Sequence, residues 1–142
     1  VSAFLLNRSS DLLSYQKMAD GIRARVLVKD TAVASFEYMC DRLAAGYRQS
    51  KYYPSMFLSM IAIESVYLDE HVNATCRRIY ADWQKLYADF LMRYGFSQEE
   101  SAVKGQAVFA MVHGSLLSSW IKNNPSDLLM VKQNLRAILG DT

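Results

Sequence analysis

The chain has 142 residues, 51% of them hydrophobic and 21% charged, with a formal net charge of +2. That is ordinary composition for one globular domain, and it excludes disorder and low complexity as global descriptions. The charges are interspersed, with Arg23/Arg25 and Arg77-Arg78 as local basic pairs. The basic stripe of a nucleic-acid binder is therefore missing from these residues.

Long segments show a period near 3.6 with no sustained alternation, which predicts an all-α fold, an antiparallel bundle of about six helices. Val1-Ser-Ala-Phe-Leu-Leu6 lacks the basic region and long apolar core of a signal peptide, and the chain has no initiator Met, as expected of a piece of a longer or processed protein. Predicted helix A runs from about Ser10 to Leu27, with Ser9 or Ser10 as N-cap and Tyr15, Met18, Ala19, Ile22 and Val26 on one face. Predicted helix B follows Asp30 as N-cap and turns Val33, Phe36, Met39, Cys40, Leu43 and Tyr47 inward before a polar break at Arg48-Gln-Ser-Lys51. Predicted helix C starts near Pro54, an imino acid tolerated in a first turn, and is apolar nearly all round through Leu68, which marks it as the central helix.

Predicted helix D carries Val72, Cys76, Ile79, Tyr80, Trp83, Tyr87, Phe90 and Tyr94 at intervals of three or four, with Gly95 placed to end it. Its polar side, Arg77, Arg78, Asp82, Lys85 and Asp89, is a solvated face. Ser97-Gln-Glu-Glu100 matches a capping box, in which the serine hydroxyl accepts an orphan N–H and the residue three later reaches back. It starts predicted helix E, which has no formally charged residue between Lys104 and Lys122. Ala107, Ala110, Gly114 and Ser118 form a small-residue stripe on it, opposite Phe109, Val112, His113, Leu116 and Trp120. Such a helix has no wet side. A membrane span needs about 20 predominantly apolar residues, and Gln106, His113 and the serines argue against one. Half the cover then comes from its own domain and half from a partner. After Asn123-Asn124-Pro125, predicted helix F has Asp127 near its positive end, Arg136 near its negative end, and a stripe of Leu128, Val131, Leu135 and Ile138. A symmetric homodimer is expected, joined by helices E and F in a four-helix interface containing Ala110, Gly114, Leu117, Ser118, Leu128, Val131 and Leu135. No internal repeat or long linker divides residues 1–142.

No sequence evidence points to catalysis. Neither His71 nor His113 has a Glu three residues before it, and there is no His-Glu-x-x-His, Cys-x-x-Cys, phosphate loop or nucleophile elbow. No enzyme activity, metal or cofactor is expected. Cys40 and Cys76 on apolar faces suit a reducing cytoplasm, and a disulfide between them is possible but unneeded. Glu64 shares a face with Phe57, Met60, Ile61 and Leu68, so its carboxylate is either a core ion pair or hydrogen bond, or a polar anchor in a ligand cavity. His113 has the same two interpretations. Met39, Met60, Tyr80, Trp83 and Met111 come from four predicted helices and either fill a core or line a central apolar cavity, for which Met, Tyr and Trp are well suited. With Glu64 and His113 they form the candidate ligand site, for a small hydrophobic or aromatic effector.

Ala62-Ile63-Glu64, Ile79-Tyr-Ala-Asp-Trp83, Tyr94-Gly95, Ser97-Gln-Glu-Glu-Ser-Ala102, Gly114-Ser-Leu-Leu117 and Asn134-Leu-Arg-Ala-Ile-Leu139 follow one another in that order. On these motifs, from Tyr52 to Leu139, the chain resembles the C-terminal regulatory domain of TetR-family bacterial transcriptional regulators. Phe4-Leu-Leu-Asn-Arg-Ser-Ser-Asp-Leu-Leu13 is similar to the junction that follows the family's recognition helix, with Ser9 where the family usually has Lys. The resemblance implies that residues 1–13 are a junction remnant and that DNA is bound only through an N-terminal helix-turn-helix outside this chain. It also implies an effector that shifts helix A and so respaces two DNA-reading heads, most simply as a repressor. The competing expectation is a helical protein-interaction module with no small-molecule ligand.

Overall fold

The computed structural model of the chain describes residue 20 and residues 29–50, 54–67 and 69–140. Among them are five helices and no strand: α1 Ala32–Ser50, α2 Pro54–Ser65, α3 Glu70–Arg93, α4 Gln98–Ile121 and α5 Ser126–Leu139. The all-α expectation holds. Predicted helix A and the junction at residues 1–13 lie outside the described residues, apart from Asp20.

Local chemistry sets most helix ends. The N-terminus of α1 is capped by Thr31, whose Oγ1 accepts the Ala34 N–H at 3.1 Å, rather than by the anticipated Asp30. Asp69 caps α3 through the Val72 N–H, at 3.1 Å. That helix ends as its sequence predicts: Gly95 takes φ +89°, and the N–H groups of Gly95 and Phe96 reach back to the carbonyls of Met92 and Leu91. A residue at that φ costs a side chain steric strain, which glycine avoids. The capping box of α4 is complete, with Glu100 N–H to Ser97 Oγ at 3.2 Å and Ser97 N–H to Glu100 Oε2 at 3.1 Å. The Ser97 N–H and, second, the Ser97 hydroxyl, which donates to Glu100 Oε2 at 2.9 Å, hold the Glu100 carboxyl below its ordinary pKa.

The helix expected at the centre is not there. Among the described residues α2 packs on α3 and lightly on α4, leaving Met60, Ile63 and Glu64 exposed. The middle of the bundle is instead α3 with α4: α4 touches α2, α3 and α5, α3 touches α1, α2 and α4, and α5 also packs against α1. The uniform apolarity of α2 misled because it names no preferred face. Gly105 lets α4 close on α3: a Cβ there would stand 2.8 Å from the Ala88 backbone nitrogen. Val108, Val112 and Leu116 then pack inward from α4, and Leu128, Leu135 and Leu139 from α5. Fully burying one such side chain contributes about 1.5–3 kcal/mol.

This packing corrects the expected interface. Leu128, Val131 and Leu135 are buried in their own subunit and cannot face a partner. The stripe is covered by α1 and α4, with Lys132 Nζ fixed to Asp41 of α1 at 2.8 Å. A periodic stripe reveals that a face is covered, not which chain covers it. Ala110, Gly114 and Leu117 remain exposed, and Ser118 is partly buried, its hydroxyl bonded to the Asp127 carboxylate. Cys40 and Cys76 are both buried. Desolvation pushes the Cys40 thiol up to about 12, so it is protonated and unreactive at neutral pH.

Candidate functional site

The side chains offered by α2 and α3 leave a groove of about 440 Å³ between them, lined by Ser59, Ala62, Ile63, Cys76, Arg77, Tyr80, Ala81 and Gln84. Its volume falls within the range of roughly 300–1,000 Å³ for small-molecule sites. Several of its contributors are small: Ser59 and Ala62 on one wall, Ala81 on the other. The C-terminal end of α2 is pinned by Asn73 of α3, whose Nδ2 donates to the Ala62 carbonyl at 3.2 Å and to Ser65 Oγ at 3.3 Å. Arg77 is engaged in turn by Asn73 Oδ1 and by Glu70, 2.6 Å away. The cation at the rim is therefore already paired.

Tyr80 forms part of the wall. Its hydroxyl is 2.5 Å from Ser59 Oγ, tying α3 to α2. Behind it lies an aromatic cluster: the Tyr80 ring centroid is 6.1 Å from Trp83, 5.6 Å from Phe109 and 5.8 Å from His113. His113 stacks on Phe109 at 3.9 Å and sits 5.7 Å from Trp83. Its Nδ1 is 3.0 Å from the Phe109 carbonyl, one helical turn earlier. Burial lowers its pKa to about 4 against the smaller raising effect of that bond, so the ring is neutral at physiological pH. Nε2 is buried without a hydrogen-bond partner among the described residues.

Of the seven expected ligand residues, Tyr80, Trp83 and His113 come together, and of the seven only Tyr80 lines the groove. Met39 instead packs in the core beneath Tyr87, whose hydroxyl donates to its sulfur at 3.7 Å. Met111 is partly buried against the core. Met60 and Glu64 are on the exposed side of α2, whose inner face carries Ile61, Ala62 and Ser65; Glu64 needs no buried partner because its carboxylate reaches water. Among the described residues the groove lies open between α2 and α3. Sequence reasoning missed Ser59, Ala62, Cys76, Ala81 and Gln84 as walls. The available signal was the run Cys76, Tyr80/Ala81, Gln84 along one face of α3, facing small residues on α2. Among the described residues no cluster of His, Cys, Asp and Glu is arranged to hold a metal, and no helix is long and apolar enough to cross a membrane.

Residues 32–134 match the family model described as the LmrA/YxaF-like transcriptional regulator, C-terminal domain. The chain is also similar to a Bacillus subtilis (strain 168) protein, an uncharacterized HTH-type transcriptional regulator YxaF, with 19% identity over 107 residues. That alignment covers 75% of this chain and 56% of the relative, so the chain spans little more than half the length of the protein it matches. The matched segment takes in the whole groove and the aromatic cluster, and the earlier TetR resemblance and the family match coincide on the same helices. The chain belongs to the TetR family of transcriptional regulators, with its matched residues forming an LmrA/YxaF-like C-terminal domain.

Proposed function

We propose that residues 1–142 act as one regulatory unit of a cytoplasmic bacterial repressor, which binds a small hydrophobic effector and dimerises to control DNA binding by a helix-turn-helix elsewhere in the full protein. The observation that carries the effector reading is the α2–α3 groove backed by Tyr80, Trp83 and His113. Its described walls are mainly apolar and Arg77, the cation among the described lining residues, is already paired, which favours apolar ligands over sugars or nucleotides. The helix-turn-helix named for the B. subtilis relative supports a DNA reader outside the present residues. Coupling requires the effector to bind one arrangement of the helices more tightly than the other. The Tyr80–Ser59 and Asn73–Ala62 bonds, which set how α2 sits on α3, are the contacts a ligand in the groove would bias.

Dimerisation is supported by the outer face of α4. Val103, Ala107, Ala110, Gly114, Leu117 and Ile121 recur alternately four and three residues apart and are all exposed, with Ile121 at 71%. On α5, Met130 is also exposed. A Cβ on Gly114 would meet nothing within 4 Å in the subunit, leaving the space for a helix of a second copy. A stable interface would bury about 1,200–2,000 Å² in total. The experiment that tests the effector reading is a thermal-shift screen of aromatic and long-chain apolar compounds against sugars and nucleotides. A raised Tm confined to the first group supports it; no shift from any of them contradicts it. The interaction-module alternative, in which α4 binds a different protein, predicts that last result.

A further inference from the structure

Tyr94 stands in the turn between α3 and α4, directly before Gly95, and its hydroxyl is engaged twice: it donates to the Lys29 carbonyl at 2.7 Å and lies 2.7 Å from Ser35 Oγ. A phenol has one proton and a carbonyl can only accept, so that proton goes to Lys29 and the buried Ser35 hydroxyl donates to the Tyr94 oxygen. Phe90, one turn earlier on α3, sets the ring, with centroids 5.2 Å apart. Lys29 is also held by its side chain, whose ammonium lies 4.9 Å from the centroid of the Tyr38 ring on α1. Neither helix end needs the Tyr94–Lys29 bond, because Thr31 caps α1 and Gly95 terminates α3. What the bond fixes is the direction from which the chain arrives at α1.

We infer that the Tyr94 hydroxyl is a latch on the chain entering α1, closed when it binds the Lys29 carbonyl and open when that bond is broken. Its regulatory meaning rests on the proposed DNA reader lying N-terminal to these residues, which makes Lys29 the point where the regulatory domain takes hold of the reader's segment. Tyr94 belongs to the turn from which α4 starts, with the capping box at Ser97 just beyond it. A shift of α4 relative to α1 therefore carries the hydroxyl toward or away from Lys29. One neutral hydrogen bond on a partly buried ring is worth about fivefold in the ratio of closed to open. That is enough to bias the direction of the entering segment and little enough for a helix shift to reverse.

The test uses the latched atom itself, because the Lys29 carbonyl is the group trypsin must attack to cut between Lys29 and Asp30. At limiting protease the cutting rate follows the fraction of chain that is locally open. Tyr94→Phe, which deletes only the hydroxyl, is expected to speed cleavage after Lys29 by about fivefold, while cleavage after Lys104 in α4 and Arg136 in α5 keeps its wild-type rate. Mass spectrometry of the fragments reads each bond separately. An unchanged rate after Lys29, or an equal acceleration at all three bonds, overturns the latch, the second because it reports a general loss of stability. A further measurement needs no variant: a synthetic peptide of residues 26–36 should be cut after Lys29 at least about tenfold faster than the folded chain, and equal rates overturn the latch as well. The digestion involves neither effector nor DNA, so its failure leaves the effector and dimer readings standing.

Discussion

Gly105 of α4 packs on Ala88 of α3 with space for a hydrogen and none for a methyl: a Cβ on Gly105 would lie 2.8 Å from the Ala88 nitrogen and 3.0 Å from its Cα. Both opposing atoms are backbone, so nothing can rotate aside. Gly105→Ala is expected to destabilise the fold by about 1–3 kcal/mol as the helices separate. Gly114→Ala, in open space on the same helix, should instead raise subunit stability by about 0.5–1 kcal/mol through helix propensity. Urea denaturation of both variants checks the contrast.

Leu135 is fully buried between α5 and its own neighbours. Leu135→Ala should therefore cost about 2–5 kcal/mol of folding stability, as deletions from a packed core do, and should show as a lower Tm. An unchanged Tm with a weakened dimer would return this residue to the interface.

The proposed dimer is tested on the other face. At micromolar concentration the chain is expected to be a dimer in light scattering, and Gly114→Arg to be a folded monomer or an aggregate. Because a Cβ at that position would meet nothing within 4 Å among the described residues, a loss of dimer there reports on the partner copy. A monomeric wild-type chain contradicts the proposal.

His113 makes stability depend on pH with a definite sign. Its folded-state pKa of about 4 lies below the ordinary 6.5. Between the two values the unfolded chain binds a proton that the folded chain does not, so stability falls as pH drops from about 6.5 toward 4 and is unaffected by this group above that window. The full effect approaches about 3 kcal/mol. His113→Phe should flatten that part of a Tm-against-pH curve; an identical slope in the variant contradicts the buried neutral ring.

Helix ends were the most legible part of the sequence because their chemistry is local. The Ser97/Glu100 box and the stop at Gly95 each involve atoms a few residues apart, and both formed as expected. Faces were legible where they alternate, as on α3, where Cys76, Trp83, Tyr87 and Phe90 are buried and Arg78, Asp82 and Lys85 are exposed. They were not on α2, whose uniform apolarity hid that Met60 and Ile63 face outward. The site was half legible: Tyr80, Trp83 and His113 stood out as amphipathic rings, but the groove is made by the smallness of Ser59, Ala62 and Ala81, a signal that becomes readable only once it is known that α2 faces that side of α3. The α5 stripe showed the same limit, since covering by a second subunit and covering by α1 produce the same pattern.

The central claim, that the α2–α3 groove receives an apolar effector, is tested most directly by filling it. Ala81 lines the groove and is exposed, so Ala81→Trp can occupy the space without disturbing the core. Calorimetric titration of wild type and Ala81→Trp, with an aromatic compound that raises the wild-type Tm, should show affinity lost by at least about tenfold in the variant, consistent with removal of most of the buried apolar contact, while the unliganded Tm is kept. Unchanged affinity in the filled groove would place the ligand elsewhere and contradict the account.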